Sequence, residues 1–168
     1  MVLEAPPVHR HEVYIVTPRF QINGQLETVG TTFTFINDAK RESLPLYEVT
    51  ITPLRANGPL ASFTRPHIIL RRSEIVLLYF TSAETRSEIH TLRRRELLVV
   101  YTPPAVCRGY FHMADEAQLS DFIEDTVGTL LPITEVQIFS LDEFPTSFPA
   151  EAELLLIGRS YLEFYHPE

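Results

Sequence analysis

The sequence is short of several things at once. It has one cysteine, Cys107, and one lysine, Lys40, beside thirteen arginines. A single cysteine excludes an intrachain disulfide framework and fits a reducing compartment. No apolar run approaches the ~18–20 residues that span a bilayer. The opening Met-Val-Leu-Glu-Ala-Pro-Pro-Val-His-Arg-His lacks the basic start and apolar stretch of a secretory signal. The expectation is a cytoplasmic protein away from membranes. There is no glycine-rich phosphate loop and no His-Glu-x-x-His. His9 and His11 have the i, i+2 spacing of a metal pair, but no third ligand follows at a suitable distance, so no metal and no cofactor is expected. What is present is 45% apolar residues with 11 Phe and 7 Tyr, ample for a packed core.

One stretch occurs twice. Thr34 to Leu54 contains Phe-Ile-Asn-Asp, Leu-Pro-Leu and Glu-Val-Thr-Ile. Asp121 to Leu141 contains Phe-Ile-Glu-Asp, Leu-Pro-Ile and Glu-Val-Gln-Ile. Phe35 and Phe122, Pro45 and Pro132, and Glu48 and Glu135 are each 87 residues apart, and a fixed offset through varied sequence marks an internal repeat. Upstream the offset is 85: Thr17-Pro18 answers Thr102-Pro103, and Gly24 answers Gly109. A glycine kept inside a strand pattern marks a bulge, a bend or a close backbone approach.

The apolar segments are short and rich in β-formers. In the first copy they are Val13–Val16, Ile22–Leu26, Glu48–Ile51, Ile68–Leu70 and Ile75–Phe80; in the second, Leu97–Tyr101, Cys107–Phe111, Glu135–Ile138, Leu154–Ile157 and Tyr161–Tyr165. About five short strands in roughly 70 residues predict a small all-β barrel per copy. Residues 1–11 form a flexible arm, 12–80 the first repeat, 81–95 a linker and 96–168 the second repeat. Thr81-x-x-Glu84 has capping-box form, so a short linking helix and a solvated loop are both open for 81–95. Phe35–Asp38 and Phe122–Asp125 read equally as helical turns or strand ends.

Charge divides the copies. Residues 12–80 hold seven bases and six acids, and residues 81–95 add four bases against two acids. Residues 96–168 hold thirteen acids and two bases, Arg108 and Arg159, for a net −11.

The Gly24-Gln-Leu26 segment, the Asn37-Asp38 turn and the final Ile68-Ile-Leu-Arg-Arg-Ser-Glu-Ile-Val-Leu77 run resemble the two short motifs of Sm-like (LSm-type) barrels. The Leu-Pro-Leu-x-Glu-Val signature resembles bacterial proteins carrying this type of domain. The resemblance implies two tandem five-stranded Sm-like, SH3-like barrels. It also implies ring assembly and single-stranded RNA binding, through an asparagine and an arginine–glycine pair that carry over to Asn37 and Arg72. In the second copy Glu124 and Arg159 stand there, and Ser73 and Ser160 replace the glycine.

The residues themselves favour a non-enzymatic assembly or scaffold protein. A basic first repeat meeting the acidic second repeat of a neighbour gives a head-to-tail contact, which closes into a ring or runs on as a filament. Neutralisation between the halves within one chain, or a different protein partner, are the competing uses. The interaction patch would consist of Arg71, Arg72, Arg93, Arg94 and Arg95. RNA binding is the alternative, against which a pI near 5.2 argues. For catalysis the residues offer only Cys107 near His112. Cyclic-dinucleotide sensing lacks its Arg-x-x-x-Arg arm.

Overall fold

The computed structural model describes residues 3–55, 57–125 and 129–168. The first repeat comprises β1 (Val8–Val16), β2 (Phe20–Val29), helix α1 (Thr32–Ile36), β3 (Ser43–Pro53), β4 (Phe63–Arg71) and β5 (Leu77–Phe80). After α2 (Ala83–Ser87) the second repeat follows with β6 (Arg94–Tyr101), β7 (Ala105–Met113), α3 (Leu119–Asp125), β8 (Leu130–Ser140), β9 (Glu151–Gly158) and β10 (Phe164–Pro167). A 3-10 turn precedes each last strand, at Arg72–Glu74 and Arg159–Tyr161. The segments at Phe35 and Phe122 are therefore helical, because Phe35, Ile36, Phe122 and Ile123 all turn inward to bury their side chains.

Three boundaries move. Residues 8–11 are not a loose arm: they belong to β1 and pair with Leu26–Val29 of β2. β6 begins at Arg94, inside the expected linker and three residues before the expected strand start at Leu97. The linker does contain a helix, but Ser82 caps it, its hydroxyl accepting from the Thr85 amide at 3.4 Å.

Among the described residues all strand pairing is antiparallel, in one ten-stranded sheet of order β10-β6-β7-β8-β9-β5-β1-β2-β3-β4. Two separate five-stranded barrels are not what the pairing describes. Within each repeat the fourth and fifth strands do not pair; β5 binds β1 on one side and β9 on the other, so its hydrogen-bonding capacity is spent on the neighbouring repeat. The sheet is open, with β10 and β4 at its ends.

The repeated glycines sit where the register slips, between Asn23 and Gln25 and between Arg108 and Tyr110. Opposite them, Glu48 (φ 50°) and Glu135 (φ 51°) are the extra residues of two β-bulges in the left-handed region. A Cβ at Gly24 would lie 2.6 Å from Val49 Cγ1, and one at Gly109 would lie 2.8 Å from Ile133 Cγ1. The glycines thus let the bulged strand approach. A left-handed conformation costs an L-residue about 1–2 kcal/mol, and glycine gives back about 0.5–1 through unfolded-state freedom. Glu48→Gly and Glu135→Gly should therefore each stabilise the chain by about 0.5–1 kcal/mol, seen as a higher urea midpoint at unchanged slope.

Two apolar clusters form the core, one per repeat, and they exchange members. Leu130, Leu154 and Leu156 of the second repeat pack into the first cluster. Val16, Val76 and Leu77 of the first repeat pack into the second.

Candidate functional site

The contact between repeats shows what the sheet edges can do. Leu77 pairs with Ile157 and Leu78 with Leu156. The Gly158 amide donates to the Val76 carbonyl at 2.8 Å. At Gly158 a Cβ would lie 2.0 Å from the Ile75 carbonyl oxygen, so only glycine fits this joint. Val76, Leu77 and Leu156 are 0% exposed, Leu130 1% and Leu154 7%.

Two amide side chains bridge the repeats with full use of their polar atoms. The Asn37 Nδ2 donates to the Leu130 carbonyl at 3.0 Å, and its Oδ1 accepts from the Thr129 and Leu130 amides, each at 3.0 Å. Gln21 is buried. It donates to the Thr146 and Ser147 carbonyls at 3.1 and 3.2 Å and accepts from the Thr146 amide at 3.1 Å. The Tyr161 hydroxyl donates to Glu74 at 3.1 Å; burial first, and then this bond, raises the phenol's pKa.

The repeat leaves one counterpart of this joint unfilled at each end of the sheet. Among the described residues β4 pairs with β3 alone and β10 with β6 alone. Ile69 on β4 is 69% exposed, and Phe164 on β10 is 57% exposed while stacking on Tyr101 at 4.1 Å. β4 carries Arg65, His67 and Arg71 with no acid; β10 is flanked by Glu163 and Glu168. Sequence reasoning passed over Ile69, Phe164, Gln21 and Gly158. The usable signal was the 87-residue offset, which makes Leu70 the counterpart of Ile157 and Phe164 that of Leu77.

The expected arginine patch does not assemble. Arg71 lies at the end of β4 with Nη2 3.6 Å from Glu42. Arg72 is buried, its Nη1 donating to the Ile36 and Asp38 carbonyls at 3.1 and 2.6 Å, where it caps α1. Burial lowers its pKa, with Asp38 and Glu42 opposing. Arg93 is exposed before β6. Arg94 donates to the Asp115 and Ala117 carbonyls at 3.0 and 2.7 Å and to Glu96 at 3.0 Å. Arg95 meets Glu135 at 3.5 Å and stacks over Tyr110 at 4.2 Å. In the strand order seven strands separate β6 from β4, so the two groups of arginines belong to different regions of the sheet. Asn37 and Arg72, the pair an RNA pocket would use, are both engaged inside the chain. Arg159 repeats the role of Arg72, donating to the Glu124 carbonyl at 3.2 Å.

Cys107 is fully buried in β7 and burial pushes its thiol up to about 12, so it stays protonated and unreactive near neutral pH. His11 ties three elements together. Its Nδ1 lies 3.2 Å from the Thr85 hydroxyl, and its Nε2 lies 3.0 and 3.1 Å from those of Thr28 and Thr32. Burial lowers its pKa, and His9 lowers it further against Glu88. The unfolded chain therefore takes up this proton first. The neutral ring's contribution is complete above the ordinary value of 6.5 and is lost as pH falls below it, through the lower folded value. Denaturation midpoints should drop between about pH 7 and 5, and His11→Gln should flatten that dependence.

A cleft of ≈ 590 Å³ is lined by residues of both repeats, among them Arg19, Phe20, Arg55, Asp142, Glu143 and Phe144. Among the described ion pairs, none joins residues 12–80 to residues 96–168; Arg86 of α2 meets Glu153 at 3.9 Å. Most of the second repeat's acidity is thus not consumed by the first repeat. Comparison of the chain with protein-family models, with curated proteins and with solved structures found no match.

Proposed function

We propose that this chain is a non-catalytic assembly protein made of two Sm-like modules, and that it adds copies of itself head-to-tail. The β10 edge of one chain lies against the β4 edge of the next. One observation carries the reading: the chain already holds a worked instance of that contact, β5 on β9, and presents the two unmatched halves of a second. Transferring the register by 87 residues places Phe164 opposite Leu70 and Tyr165 opposite Ile69 of the next copy. Arg71 then comes beside Glu163, the basic edge meeting the acidic one. Such a contact is heterologous and either closes into a ring or continues as a filament.

Light scattering on a sizing column tests it, at low salt and at about 0.5 M salt, where screening acts within a few Å. Particles of several chains at low salt, shrinking at high salt and absent in Ile69→Lys, are expected. A mass of 19.3 kDa in both conditions would remove self-assembly and leave a different protein partner for these edges.

A further inference from the structure

We infer that Arg71 and Glu124 detune the end-to-end contact, so that the joint within the chain is permanent while the joint between chains stays reversible. This rests on the head-to-tail reading above. Each residue of the internal joint has a repeat counterpart at the free ends.

Gly158 answers to Arg71. Where Gly158 passes so close to the Ile75 carbonyl that a Cβ would lie at 2.0 Å, Arg71 has a Cβ and would meet the counterpart carbonyl of Leu162. The strands between chains must therefore stand further apart. Asn37 answers to Glu124. Asn37 both donates to and accepts from the backbone of Thr129 and Leu130, whose counterparts are Glu42 and Ser43. An ionised Glu124 cannot donate to the Ser43 carbonyl as Asn37 donates to that of Leu130. Gln21 answers to Val106, which offers no amide at all.

The apolar part of the joint is weakened the same way. Val76, Leu77, Leu130, Leu154 and Leu156 are all buried at the internal joint. Their counterparts are Glu163, Phe164, Ser43, His67 and Ile69, of which two are apolar. The partner that fits these edges is a second copy of this chain, held weakly.

The experiment compares the wild-type chain with Arg71→Gly, Glu124→Asn and the double variant by sedimentation over a range of concentrations. Both positions are exposed, so neither substitution disturbs the core. The double variant is expected to associate at least about tenfold more tightly and to persist at about 0.5 M salt. If the wild type associates and the double variant is no tighter, the detuning is wrong and the head-to-tail reading stands. A monomeric wild type beside an associating double variant would support the detuning and end the reading of wild-type self-assembly. No association in either protein overturns both.

Discussion

Gly158→Ala should lower stability by about 3 kcal/mol, near the upper end for an overpacked site, and lower the melting temperature by about 6–12 °C. The added Cβ would meet the Ile75 carbonyl oxygen at 2.0 Å, and both atoms belong to backbone held in the same joint. Relief requires β9 to move off β5, which costs the Gly158–Val76 hydrogen bond and loosens Leu77 and Ile157. Gly24 and Gly109 make the informative contrast. Their nearest obstacles are side-chain carbons, Val49 Cγ1 and Ile133 Cγ1, and the backbone oxygens there lie 3.0 Å away instead of 2.0 Å. Their alanine variants should cost less than Gly158→Ala. Hydrogen exchange should place the damage: faster exchange at Leu77, Leu78 and Leu156, with β2 and β3 protected as before. A loss below about 1 kcal/mol would show that the joint yields, and that glycine is not required there.

Arg72→Leu is expected to cost about 2–3 kcal/mol, since a hydrogen bond to a charged group is worth about 1.5–3 and the substitution strips the Ile36 and Asp38 carbonyls of their donor. The leucine fills much of the volume, so the effect measures the missing donor more than a cavity. The carbonyl end of α1 is where a cation belongs, and Arg72 reaches two carbonyls from one nitrogen at 3.1 and 2.6 Å. Chemical denaturation of Arg72→Leu beside Arg71→Leu checks it. Arg71 is exposed and only loosely paired with Glu42, so its variant should stay within about 0.5 kcal/mol of wild type. Equal losses in the two would mean the capping contact contributes nothing.

That pair of neighbours also shows how far the sequence could be read. The repeat exposed Arg72 and Arg159 as recurring positions, and short β-rich segments with repeated glycines carried the all-β fold and its two bulges. Those signals are local or periodic. The direction in which an arginine points is neither, so Arg72 read as part of a surface patch when the carbonyls of α1 had drawn it inward. The shared sheet was hidden for a similar reason: Leu77 and Ile157 are 80 residues apart, and strand pairing at that distance leaves no spacing to detect. One trace was available. Leu154–Ile157 and Ile75–Leu78 are unbroken apolar runs, as strands buried on both faces require. Their counterparts each carry one polar residue, His67 at the start of His67–Leu70 and Glu163 within Leu162–Tyr165. The asymmetry between equivalent strands separated the interior joint from the open ends.

The β5–β9 pairing has a consequence during synthesis. When Phe80 leaves the ribosome the first repeat lacks a neighbour for β5, and its core lacks Leu130, Leu154 and Leu156. At about 5–20 residues per second, Ile157 follows about 4–15 seconds later. Through that interval the nascent chain presents an apolar strand edge, so chains on adjacent ribosomes are each other's most accessible wrong partners. The acidic second half emerges last and is the part that must reach the edge first.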